Sequence, residues 1–182
     1  MEPELLRLVY APASYYRPWR AVYAQATPAQ QRWLNATLIR QCGMPVPSAR
    51  AQMRTPLARR VVTAWDRLPE VAVMIGAARL RDWVSMQRGG TALSLPLQAF
   101  MRAGYSRYDS PERPQRPLED DPDSLLRWGA AEVRALAPLL PPWLGARVTL
   151  PLHTDSGDAP ELEVRPDLDL FWSALNYVEK LS

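Results

Sequence analysis

Along most of the chain, apolar residues recur at three- and four-residue spacing, and proline or glycine closes each stretch. That period predicts amphipathic helices with punctuated ends. Thr27-Pro28-Ala29-Gln30 reads as a helix start, with a capping threonine, proline at the first helical position and Gln three residues after the cap. Trp33, Leu34, Thr37, Leu38 and Cys42 then fall on one face, and Gly43 is placed to end the helix. Thr55-Pro56 repeats the start, with Leu57, Val61, Ala64, Trp65 and Leu68 as its stripe and Pro69 closing it or opening the next helix. Residues 70–87 predict a more apolar, central helix through Val71, Met74, Ile75, Ala78 and Leu80. Gly76 inside it either weakens the helix by about 1 kcal/mol relative to Ala or admits a neighbouring helix closely. Ser94-Leu95-Pro96 begins a shorter helix, Asp121-Pro122 caps one bearing Leu125, Leu126, Trp128, Val133 and Leu136, and Asp167 caps the last, with Leu168, Phe171, Trp172, Leu175 and Val178.

Two stretches depart from the helical period. Arg147 to Leu152 and Glu161 to Arg165 alternate in polarity, and residues 153–160 between them are rich in turn formers, so a β-hairpin is predicted. Tyr105 to Asp121 carries three prolines, alternating charges and almost no aliphatic residue, which reads as a surface loop. The expected architecture is mainly α: a single compact multi-helix domain over 1–182, with a small C-terminal β-hairpin, a final helix and a candidate subdomain break in the 105–121 loop.

Composition adds limits. The longest apolar run, Val71 to Ala78, falls far short of the roughly 20 residues a membrane helix needs, so no direct membrane insertion is expected. One cysteine cannot form an intramolecular disulfide, and the acidic Met1-Glu2-Pro3-Glu4 start is unlike a signal peptide, which leaves the cytoplasm as the expected compartment. Charge is split along the chain. Residues 1–108 hold 15 Arg against 5 Asp+Glu, and residues 109–182 hold 7 Lys+Arg against 14 Asp+Glu. Either the halves pair internally, or they offer two faces to two partners.

Catalytic chemistry is sparse. His153, the sole histidine, sits in turn-forming sequence beside Asp155 and Asp158 without calcium-loop spacing. Cys42 falls on an apolar helix side and reads as a buried small hydrophobe. Gly89-Gly90 lacks a phosphate-loop context, and the acidic run Glu119 to Asp123 adjoins a helix start, where carboxylates favour the dipole. The reading is of a non-enzymatic protein with no cofactor and no metal. The seven tryptophans, spread one per element, are expected to be mostly core, with one or two as interface anchors. No nucleic-acid partner is expected, because the arginines are scattered without a basic run and the second half is acidic.

Four segments in order resemble the SctK family, also called YscK or PscK, of the type III secretion sorting platform. They are Leu6 to Tyr15 with its Pro-x-x-Tyr step, Trp33 to Ile39, Ile75 to Arg81, and the Arg147 to Leu152 stretch followed by a helix. The resemblance implies a helical cytoplasmic adaptor without catalytic motif. It would bridge the cytoplasmic domain of the inner-membrane ring protein (SctD) and the pods of SctQ, reaching the inner membrane only through its partner. Arg59, Arg60, Arg79 and Arg81 are the candidate partner-binding residues, as helical surface meeting an acidic face. The alternatives are a helical secretion chaperone or regulator, and an Arg-rich nucleic-acid-binding module.

Overall fold

The computed structural model describes residues 3–47, 55–81, 93–103, 122–153 and 166–181. The helices are α1 (Pro3–Tyr10), α2 (Arg17–Gln25), α3 (Pro28–Gln41), α4 (Pro56–Thr63), α5 (Leu68–Arg79), α6 (Leu95–Arg102), α7 (Pro122–Ala135), α8 (Pro142–Gly145) and α9 (Leu168–Lys180). Short 3-10 turns at Pro12–Ser14, Trp65–Arg67, Ala137–Leu139 and Leu150–Leu152 join or extend them.

The ends are set as the sequence dictates. Thr27 and Gln30 form a full capping box on α3. Gly43, at φ 55°, closes that helix: its N–H donates to the Arg40 carbonyl at 3.2 Å and Met44 N–H to the Ile39 carbonyl at 2.9 Å. This is the Schellman pattern, and it needs a residue at ease with positive φ. The Thr55 hydroxyl accepts from Ala58 N–H, and the Asp167 carboxylate accepts from Leu170 N–H. Pro69 lies in the first turn of α5 and opens it.

Helix α5 is the axis of the fold. Leu68, Val71, Ala72, Met74, Ile75, Ala77 and Ala78 are all buried, so the helix is enclosed on nearly every side. Its largest neighbour is α7, followed by α9 and α6. Gly76 and Gly129 permit that closeness. A Cβ on Gly76 would collide with the Leu125 carbonyl oxygen, and one on Gly129 with the Ala72 carbonyl oxygen. Gly76 therefore answers to helix packing. One cluster of buried side chains extends from Leu5 on α1 to Val178 on α9. Trp65 is fully buried in it and meets Tyr15 edge-on at 5.2 Å.

The predicted β-hairpin is a misreading. No strand occurs among the described residues, and 147–149 form a turn that runs into the 3-10 helix Leu150–Leu152. Leu150 N–H donates to the Arg147 carbonyl at 2.9 Å, and Leu152 N–H to the Thr149 carbonyl at 3.0 Å. The alternation misled because burial does not alternate: Arg147, Val148, Leu150, Pro151 and Leu152 are all buried. Pro151 also has no N–H to give a ladder. The second predicted strand, 161–165, lies outside the described residues, as do the turn at 154–160 and the loop at 105–121. Cys42 is a further correction: it is exposed at the C-cap of α3, one step beyond the packed face.

Candidate functional site

The four candidate arginines do not form one patch. Arg59 is exposed on α4, and Arg81, just beyond α5, is partly buried. Arg60 donates to Glu179 at 2.7 Å and to Asn176 at 3.0 Å, both near the end of α9. Arg79 is buried at 8% exposure. Its Nε donates to Glu132 of α7 at 2.6 Å and its Nη2 to Asp167 at 3.2 Å. Asp167 also caps α9, so Arg60 and Arg79 grip opposite ends of the same helix, about 18 Å apart at 1.5 Å per residue. Arg79 acts inside the fold, tying α5, α7 and α9 together.

These contacts bear on the charge asymmetry. Arg17 with Asp123, Arg60 with Glu179, and Arg79 with Glu132 and Asp167 all join the basic half to the acidic half. Internal pairing thus takes up part of the opposed charge. Two carboxylates share the one buried guanidinium of Arg79. Burial raises the Glu132 pKa, and the Asp167 charge adds to the rise against the opposing pull of Arg79.

Arg147 is buried for a different reason. The side chain is wholly inaccessible, and it donates to carbonyls at Pro45 (2.8 Å), Trp143 (2.7 Å) and Val9 (3.1 Å). Val9 lies in the last turn of α1, where carbonyls lack intrahelical partners and a cation meets the negative end of the dipole. Tyr15 completes the cap by donating its hydroxyl to the Leu8 carbonyl at 2.7 Å. Burial raises the Tyr15 pKa and lowers that of Arg147. This is architecture, and it explains an arginine that sequence reading placed on a strand.

An outward-facing surface is found elsewhere, on the α2–α3 hairpin. Helix α2 has no buried residue, and α3 buries only Asn35 and Leu38. Between them lies an open groove of about 370 Å³ lined by Val22, Gln25, Ala26, Gln30, Trp33 and Leu34. Val22 is 60% exposed and Trp33 63%. The hairpin is nonetheless held in place. Asn35 Oδ1 accepts from Ala13 N–H at 3.0 Å, and Gln31 Nε2 donates to the Tyr23 carbonyl at 3.0 Å. Its charge is of one sign: Arg17, Arg20, Arg32 and Arg40 are its ionisable acid–base groups apart from tyrosine, and only Arg17 has a carboxylate partner among the described residues.

A model of the bacterial type III secretion apparatus protein family OrgA_MxiK matches residues 5–180 of this chain. The chain belongs to that family. No curated protein and no solved structure matches it. The OrgA_MxiK assignment is the SctK resemblance read from the four sequence segments. In this apparatus protein no helix among the described residues is long and apolar enough to cross a membrane.

Of the tryptophans, Trp65 and Trp143 are buried, Trp19, Trp128 and Trp172 are partly buried, and Trp83 lies outside the described residues. Trp33 alone among the described ones is largely exposed. The helical period places it on the packed face of α3, and the structure turns it outward. Trp33 and Leu34 are one residue apart, hence about 100° apart on the helix, and only Leu34 turns inward with Leu38. A signal was present: from residue 5 to residue 65 the OrgA_MxiK chain has no Asp or Glu.

Proposed function

We propose that this chain is a non-enzymatic adaptor of the type III secretion apparatus that joins the cytoplasmic domain of the inner-membrane ring protein SctD to the SctQ pods. It works in the cytoplasm and reaches the inner membrane through SctD. The family match across residues 5–180 carries the reading. The division of the molecule into a charge-paired helical core and an outward aromatic and arginine-bearing hairpin supports it, because a bridging protein needs a rigid body and a surface left for others.

The test is reconstitution from purified parts: this chain, the SctD cytoplasmic domain and SctQ of the same secretion system, followed by size-exclusion chromatography with light scattering. A pairwise complex with each protein, and one complex holding all three, is the expected outcome. A chain that joins neither would overturn the adaptor reading, and one that joins neither and elutes as an obligate homodimer would favour the chaperone.

A further inference from the structure

The exposed side of α3 repeats at helical spacing. Ala29, Trp33, Ala36 and Arg40 follow one another at steps of four, three and four, and all are exposed. Arg40 lies about 10 Å beyond Trp33 along the helix, and Arg32 stands one residue before it. Small side chains thus flank a large flat one, beside the groove made by Val22, Ala26 and Leu34. Arg40 thus shares the exposed side of α3 with Trp33, and Arg32 stands about 100° round the helix from Trp33, on the side away from Leu34; neither arginine has a carboxylate partner among the described residues.

Charge complementarity selects the occupant. A second copy of this chain docking face to face would set Arg32 and Arg40 against like charges, because a two-fold contact pairs a patch with itself. A nucleic acid would meet few cations and a single aromatic, whereas single-strand binders present successive aromatics along a basic groove. An acidic amphipathic helix matches both halves of the surface: its apolar ridge fills the groove and its carboxylates face the arginines. We propose that the α2–α3 face binds an acidic amphipathic helix of another secretion-apparatus protein, with Trp33 and Val22 as apolar anchors and Arg32 and Arg40 as charge contacts. This deepens the adaptor reading and rests on it.

Two measurements test the proposal. In the reconstituted complexes, Trp33→Ala and the double variant Arg32→Glu/Arg40→Glu are each expected to raise Kd for one partner by about tenfold or more, the double variant most strongly at low salt. Thermal melting is expected to leave both variants folded, since these side chains are exposed. Complexes that form with unchanged Kd would overturn the docking face while leaving the adaptor reading intact. The second measurement places a photo-crosslinking amino acid at position 33 in cells that assemble the system and maps the joined peptide by mass spectrometry. A helical segment rich in Asp or Glu from another apparatus component is expected. Joining to a second copy, to nucleic acid, to this chain's own acidic segments or to nothing would overturn the proposal, even if no partner complex had been reconstituted.

Discussion

Around α5 the charges meet partners and two helices cross glycine against glycine, whereas on the α2–α3 hairpin neither helix holds a glycine and only Arg17 of four arginines has a carboxylate partner among the described residues. In the first region Arg79 sits between Glu132 and Asp167, and adding one methyl group would force backbones apart. In the second, Trp33 and Val22 face outward and Arg32 has no carboxylate near it among the described residues. The same residue types are used oppositely. An arginine in the core region orders helices, and one on the hairpin is left for an external charge. Residue type therefore does not separate structural from recognition positions here; packing does.

Breaking the core should cost most. Gly129→Ala places a methyl group on the Ala72 carbonyl, where neither backbone can yield cheaply, and a loss of about 3 kcal/mol or more is expected in chemical denaturation. A variant as stable as the parent would mean that α5 and α7 are not so tightly apposed. A smaller effect should appear as a pH dependence. Because the Glu132 pKa is raised in the fold, its contribution to stability is full below its ordinary value of 4.5 and is lost as pH rises through the folded value. Denaturation curves across that window should show the parent losing stability relative to Glu132→Gln, in which nothing titrates at that site. Parallel pH profiles would mean that Arg79 balances burial, and a parent that gains stability with rising pH would mean that Arg79 outweighs it. The smallest effect belongs to the hairpin: Trp33→Ala should change stability by less than about 0.5 kcal/mol, and a larger loss would make Trp33 part of the core after all.

Much of the helical layout was legible from local chemistry. The threonine caps, Gly43 and the apolar stripe of α5 each state their role within a few residues. The hairpin prediction failed where a polar residue was buried: Arg147 mimicked a solvent-facing strand position although its guanidinium binds three carbonyls far apart in sequence. Arg79 was taken for surface for a similar reason, since its partners lie 53 and 88 residues away. The exposed Trp33 was equally hidden, because two adjacent apolar residues on α3 leave open which one turns inward. The acid-free run from residue 5 to residue 65 was the one readable sign of a distinctive surface.

The Arg147 guanidinium also imposes an order of events on synthesis. Its bond to the Val9 carbonyl spans 138 residues and its bond to Pro45 spans 102. At roughly 5–20 residues per second, a ribosome needs on the order of ten seconds or more to deliver Arg147 after Val9 has been made. Throughout that interval the end of α1 and the segment after α3 lack the donor that joins them. The Arg147 tie is thus among the last made to the first helices, and a nascent chain stalled before residue 147 would present the end of α1 and the segment after α3 without it.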